Sequence, residues 1–407
     1  MLYKADRAMG YDSISRGMSM GQRSLIERSQ GEIIFNSPFP EMSFPSLTFA
    51  EFIFQHLDEH KDKTLMVDYT TGQEFKSCRI KELSVRVASG LTRLGLRKGD
   101  TVLIICTNSP LFTVFTLACA ALGLWCISIG GPADGCVPFH VLQEDDGKAF
   151  PVNLDIHPDK DILFLPYSSG TTGLPKGVML THQTVITNLL QLINGPMALD
   201  SDRECLLGLI PFYHIYGLSI IQFGSVCLGT KLVTLPSLDP QTLLGAIQKH
   251  KVSYMHLTPP VVLFLAKSPL VQDYDVTSVK RILCVYGMTE ASPATHHDVA
   301  PPRVGTVGQL MPNTRSKVIS VESGECLGPG EKGEILIKGP QLMKGYLNNQ
   351  SATYDTIRDG WLHTGDIGHY DDDGYLTVSD RLKELIKCRG FQVIHLLEGL
   401  DGINFVV

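Results

Sequence analysis

Tyr167-Ser168-Ser169-Gly170-Thr171-Thr172-Gly173-Leu174-Pro175-Lys176-Gly177 follows directly on the apolar run at residues 162–165. The apolar run predicts a buried strand, whereas the eleven residues after it hold too many glycines and hydroxyls to be a core element. Gly170, Gly173 and Gly177 let the backbone approach an anion closely, Ser168, Ser169, Thr171 and Thr172 supply hydroxyl donors, and Lys176 supplies positive charge. This is the chemistry of a phosphate loop at a strand end. It is not the Walker A type, because Lys176 is followed by Gly177 and Val178 instead of a Ser or Thr that opens a helix.

Outward from the loop the pattern is α/β. Residues 101–106, 162–165, 205–210, 231–235 and 252–257 read as buried strands, and residues 49–57, 80–94, 185–193 and 242–250 carry helical periodicity. Such alternation predicts mainly parallel sheets covered by helices. After Val304 the texture changes to short alternating segments broken by glycine, at 316–321, 334–338 and 375–379, which predicts a small β-rich subdomain. Residues 1–30 have no apolar core of a secretory signal and read as an N-terminal tail. No repeat or low-complexity segment is visible.

Composition bounds the function classes. The 407 residues are 43% hydrophobic and 19% charged, as in soluble globular enzymes. A formal net charge of -7 without a long basic run argues against a nucleic-acid partner bound through phosphate neutralisation. The ten cysteines, among them Cys106, Cys119, Cys126 and Cys284, form no C-x-x-C pair and sit mostly in apolar runs, which points to a reducing compartment with neither zinc nor a disulfide frame. Residues 111–129 are apolar enough to be scored as a membrane span. Pro110, Gly123, Gly130, Gly131 and Pro132 divide the stretch instead into a helix and a strand, so no integral membrane segment is expected.

Four further motifs follow in order: Pro211-Phe212-Tyr213-His214-Ile215-Tyr216-Gly217, Tyr286-Gly287-Met288-Thr289-Glu290, Gly360-Trp361-Leu362-His363-Thr364-Gly365-Asp366, and Asp380-Arg381-Leu382-Lys383-Glu384-Leu385-Ile386-Lys387. With the glycine-rich loop they resemble the adenylate-forming (AMP-dependent synthetase/ligase) superfamily of 4-coumarate-CoA ligases, acyl-CoA synthetases and beetle luciferases, over roughly residues 31–393. The resemblance implies a large N-terminal domain over residues 31–379, and a hinge with the start of a C-terminal α+β domain over 380–407. It implies ATP-dependent activation of a small carboxylic acid to an acyl-adenylate, followed by transfer to coenzyme A, with ATP, Mg2+ and coenzyme A as cofactors.

Each residue also has a reading of its own. Tyr286 offers an aromatic face to adenine or is a core tyrosine at a strand end. Thr289 can hydrogen-bond a phosphate, and Glu290 is a hard oxygen ligand suited to magnesium. Asp366 can accept both ribose hydroxyls with Arg381 adding a donor, while alone the pair would be a turn residue and a helix-end charge. His214, flanked by Phe212, Tyr213 and Tyr216, makes an apolar wall with one polar tip or is a satisfied core histidine. The resemblance thus assigns catalytic roles to Lys176, Thr289, Glu290 and His214, the metal to Glu290, and nucleotide contacts to Ser168–Gly173, Lys176, Tyr286, Gly287, Thr289, Asp366, Arg381, Lys387 and Gln392.

Three departures stand against the family pattern. Residues 130–161 are shorter than the family's strand-helix-strand unit, which predicts an incomplete sheet edge. Cys284-Val285 joins residues 278–283 directly to Tyr286, where the family carries a crossover that walls the acyl pocket. After Gln392-Val393 the resemblance stops, and no residue matches the family's late catalytic lysine. These gaps predict impaired adenylation. A non-catalytic nucleotide-binding protein is the alternative, and a luciferase-like monooxygenase a further one. The C-terminus Asn404-Phe405-Val406-Val407 lacks a peroxisomal Ser-Lys-Leu signal, so a cytoplasmic location is expected, with a mitochondrial one open.

Overall fold

The computed structural model describes residues 24–29, 31–129, 139–152, 154–168, 175–194, 202–283, 285–297, 303–382, 385–388 and 391–394. Two sheets with parallel centres form the body. The first runs in the order Arg281–Leu283, Tyr254–His256, Cys205–Gly208, Lys231–Thr234, Thr64–Asp68, Glu74–Lys76, and all but the last pairing are parallel. Its strands are apolar on both faces because both faces are covered. Leu206 and Leu232 point into the main core, while Cys205, Leu207 and Val233 pack with the helices Pro240–His250 and Pro259–Lys267 on the other side.

The second sheet has the order Gly345–Tyr346, Lys176–Thr181, Ile162–Phe164, Trp125–Ile129, Thr101–Ile105. Thr101–Ile105, Trp125–Ile129 and Ile162–Phe164 are parallel, and Lys176–Thr181 returns antiparallel to Ile162–Phe164. Side chains from both sheets join one core with the helices Phe49–Glu59, Ser77–Arg93, Pro110–Leu122 and His182–Ile193. The apolar stretch at 111–129 resolves into a helix stopped by Gly123 at φ 66° and the strand Trp125–Ile129. No helix among the described residues is long and apolar enough to cross a membrane.

The β-rich subdomain is an eight-stranded antiparallel sheet containing Arg315–Ile319, Gly333–Lys338, Trp361–Tyr370 and Leu376–Arg381. Its core is Phe35, Val318, Ile335, Ile337, Leu362, Tyr370 and Leu376. The hairpin Ile26–Ser29 and Glu32–Asn36 completes this sheet through Arg315–Ile319, so paired structure begins inside the stretch assigned to the N-terminal tail. The strand Leu376–Arg381 likewise runs across the expected boundary at 379.

Both internal departures fall at sheet edges. Thr101–Ile105 is the last strand of its sheet and leaves Leu103 49% exposed, which is the incomplete edge expected from the short 130–161 segment. Arg281–Leu283 is the last strand of the other sheet, with Ile282 40% exposed. Among the described residues no parallel neighbour follows it, so the crossover expected from the sequence has no strand to reach. The chain instead enters a separate three-stranded antiparallel sheet, Val285–Gly287, Ala294–His297 and Gln309–Leu310.

Candidate functional site

Val285–Gly287 and the turn Thr289–Ala291 carry the Tyr286 motif out of the three-stranded sheet. Gly287 stands opposite Ala294, and a Cβ on it would lie 1.9 Å from the Pro293 carbonyl oxygen, so only glycine fits. Two groups of side chains grow from this segment.

In the first, the Tyr286 hydroxyl donates to Asp366 Oδ2 at 2.7 Å, and Arg381 Nε lies 2.5 Å from Asp366 Oδ1. Asp366 and Arg381 are cross-strand partners in register, which explains the ion pair directly: Arg381 is a strand residue, not a helix-end charge. Asp366 is buried, and its backbone N–H donates to Thr364 Oγ1 at 3.1 Å. Burial first, and the neighbouring Asp366 carboxylate second, hold the Tyr286 phenol well above its usual range, so it remains a donor at neutral pH. The ring of Tyr286 packs edge-on against His296 at 5.4 Å.

In the second group, Glu290 is 5% exposed and its Oε1 accepts from the Tyr346 hydroxyl at 2.8 Å. Lys176 Nζ sits 5.0 Å above the centre of the Tyr346 ring. The Tyr346 phenol is pushed up by its burial and by the Glu290 carboxylate. Lys176 opens the strand Lys176–Thr181 and stands opposite Ser168, so the two ends of the glycine-rich loop are clamped together. Ser169, Gly170, Thr171, Thr172 and Gly173 lie outside the described residues, as do the side chains of Lys387 and Gln392. Thr289 is half-buried in the turn beside Glu290.

A third group lies along the Pro211–Gly217 motif. His214 is exposed, and its Nδ1 accepts from the Tyr216 backbone N–H at 3.2 Å, which excludes the core-histidine alternative. The Tyr216 hydroxyl is hydrogen-bonded to His256 Nδ1 at 2.8 Å. Burial, and then the charge of nearby His297, bring His256 down to about 3. His297 stands opposite Val285, so this wall adjoins the Tyr286 segment. Gly217 starts the chain into a π-helix, Tyr216–Phe223, against the Pro211 carbonyl, where a Cβ would be 2.2 Å from the oxygen.

The sequence reading missed Tyr346 and His256. Tyr346 carries the one local signal that could have found it, a Gly-Tyr pair after a β segment; His256 sits inside an apolar run like any core residue.

A divalent cation fits this arrangement in a limited way. Among the described residues no group of three or more His, Cys, Asp or Glu could hold a metal. Glu290 bonds Tyr346 through Oε1, so the site offers a single carboxylate, as suits a magnesium ion that arrives with phosphates and retains its waters.

The profile of the family described as AMP-binding enzyme matches residues 53–130, 132–285 and 270–347. The first two segments part at 131 and the last two overlap over 270–285, so the interruptions fall at the two internal places where the sequence departs from the pattern. The chain is 33% identical to the probable 4-coumarate–CoA ligase 1 of Dictyostelium discoideum, over 91% of this chain and 83% of that protein. That alignment spans 460 positions, more than the 407 residues present, so segments of the relative stand opposite gaps here. Among solved structures, the luciferase-like enzyme from the nonluminescent Zophobas morio mealworm superposes with a TM-score of 0.76 at 24% identity, covering 87% of this chain and all of that one. ATP-bound MatB from Rhodopseudomonas palustris superposes with a TM-score of 0.75 at 22% identity, covering 86% of this chain and 82% of that one.

Proposed function

Because the chain belongs to the AMP-binding enzyme family, we propose that it binds ATP and activates a small carboxylic acid as an acyl-adenylate that is passed to coenzyme A. The observation that supports this most is the meeting of Lys176 and Glu290 on Tyr346, with Glu290 itself four residues beyond Tyr286, which is bonded to the buried, Arg-paired Asp366. One group suits the phosphates, the other the nucleoside.

The chemistry is a pair of displacements. A carboxylate oxygen of the acid attacks the α-phosphorus of ATP, the bond to the bridging oxygen breaks, and pyrophosphate leaves. The coenzyme A thiol then attacks the acyl carbon, AMP departs, and the thiol proton passes to solvent. No covalent enzyme intermediate is needed, so the protein positions groups and offsets charge. Lys176 neutralises phosphate charge, Thr289 donates its hydroxyl to a phosphate oxygen, and Glu290 would hold the cation. Magnesium bound there would offset the charge of the leaving pyrophosphate. Asp366 retains lone pairs for ribose hydroxyls beyond its bonds to Tyr286 and Arg381. His214, exposed on the Tyr216 wall, faces the acid.

Turnover in this chain is proposed to be low, since the family match is interrupted within 270–285, next to Cys284-Val285, where the resemblance implies a missing wall of the acyl pocket. The same break favours a second reading, nucleotide binding without turnover. Pyrophosphate exchange over a panel of carboxylic acids, together with calorimetry of ATP, separates them. Exchange supports the ligase, binding without exchange supports the second reading, and no binding refutes both.

A further inference from the structure

Tyr346 owes its place to a short segment zipped onto the strand that leaves the glycine-rich loop. Tyr346 stands opposite Val178. The Lys344 N–H donates to the Met179 carbonyl at 2.9 Å, the Leu347 N–H to the Gly177 carbonyl at 2.9 Å, and the Met343 N–H to the Glu290 carbonyl at 2.8 Å. These three bonds lash the segment to both the loop and the Glu290 turn. The Tyr346 N–H is fixed in addition by Thr353 Oγ1 at 2.8 Å. Gly345 has φ 147°, and a Cβ there would lie 2.8 Å from Thr353 Cγ2, so no side chain fits at the residue that aims Tyr346 inward.

We propose that Tyr346 is the positioning residue that sets Lys176 and Glu290 relative to one another, its hydroxyl fixing the carboxylate and its ring face holding the ammonium. The proposal rests on the nucleotide-binding reading above and deepens it. The hydroxyl engages Oε1 alone, which orients a buried carboxylate and presents Oε2 to a cation. The ring restrains the ammonium without using any of its three N–H donors, so Lys176 is held in place yet able to bond phosphate oxygens when they arrive. Neither effect needs Tyr346 to touch substrate. It is therefore a residue that acts through two others.

The test uses the full chain and two variants, Tyr346→Phe and Tyr346→Leu, with ATP at titrated Mg2+ and with AMP in the absence of metal, read by calorimetry alongside thermal midpoints. Tyr346→Phe loses a hydrogen bond to a charged group and is expected to raise the Mg2+ concentration that half-saturates ATP binding about tenfold. Its AMP affinity should stay that of the natural chain, while its midpoint falls modestly because the buried Glu290 carboxylate loses a partner. Tyr346→Leu loses the ring face as well, and metal-free ATP affinity should fall a further ~3-fold or more. An unchanged Mg2+ requirement in Tyr346→Phe overturns the proposal and leaves the nucleotide reading intact. So does an equal loss of AMP and Mg·ATP in both variants, which would mark Tyr346 as purely structural. If the natural chain binds no ATP at any Mg2+ level, the nucleotide reading fails and the role of Tyr346 fails with it.

Discussion

Acidification from pH 7 to pH 5 should destabilise this protein sharply, because three histidines are folded into places where they cannot be charged. His182, His256 and His296 are each under 2% exposed. Burial lowers His182 to about 4 and both His256 and His296 to about 3. Their neutral forms are fixed by hydrogen bonds: His182 Nδ1 accepts the Phe49 N–H at 2.9 Å, and His296 joins Thr295 and Tyr370. The sign follows from the direction of the shifts. Each folded pKa lies below the unfolded value, so the unfolded chain takes up protons first, and stability falls from about pH 6.5 down to the folded pKa, then levels off. At pH 5 each histidine is about 1.5 units below its unfolded pKa, worth about 2 kcal/mol, or ~6 kcal/mol for the three. A typical domain has only ~5–15 kcal/mol in all. The carboxylates whose pKa is lowered, Glu32 and Asp161 among them, act at lower pH, so the window from 5 to 6.5 isolates the histidines. Urea titrations at pH 7, 6 and 5 measure the effect directly. Equal midpoints at pH 7 and pH 5 would refute the reasoning, while His182→Gln, which keeps an acceptor for Phe49, should remove about a third of the slope.

Lys176→Ala should weaken ATP binding about tenfold or more, by loss of charge-assisted phosphate contacts, while moving the melting temperature little; an equal loss of fold and binding would make it structural. Asp366→Ala should instead lower both, weakening ATP binding by loss of the ribose acceptor and costing ~3 kcal/mol or more of stability, because it strands Arg381 and the Tyr286 hydroxyl in a part-buried site; guanidinium titration reads the stability loss. Ile282→Lys, placing a charge on the open strand Arg281–Leu283, should reduce self-association in sedimentation velocity and lower binding of hydrophobic dyes, and an unchanged distribution would mean that the edge is not what associates.

The elements were legible wherever a local pattern decides them. The strand and helix flanking the glycine-rich loop lie close to their expected positions, Ile162–Phe164 and His182–Ile193, because apolar period and turn chemistry act over a few residues. Long-range pairings were not legible. Arg315 bonds Asn36 across 279 residues, and Tyr346 reaches Glu290 across 56, and neither spacing carries a periodic signal. Arg381 shows the same limit at short range: the sequence offered it as a second donor at the ribose or as a helix-end charge, and only the antiparallel register of Trp361–Tyr370 with Leu376–Arg381 shows that it pairs with the aspartate directly. His256 was illegible for a different reason. A buried neutral histidine looks in sequence like the apolar residues around it, and its meaning comes from Tyr216, forty residues away in the chain.

The link at Cys284 asks why the candidate site survives a connection so short. A deletion inside a parallel sheet would remove a strand's neighbour and its crossover together. Here the strand before the link is the last of its sheet, so what is lost is cover and not connectivity. The residues after the link depend little on that sheet. Tyr286 is paired to His296 within its own three-stranded sheet, bonded to Asp366 in the β-rich subdomain, and followed by Glu290, which is held through Met343 and Tyr346 to the strand after the glycine-rich loop. None of these supports is a residue of the strand Arg281–Leu283. The side that borders the edge is the Tyr216–His256 wall, since His256 pairs in register with Leu283. The short link therefore falls on the acid-binding side of the proposed site and spares the groups assigned to nucleotide and cation, so ATP affinity is the property that this chain should retain best and selectivity among acids the one it should lose first.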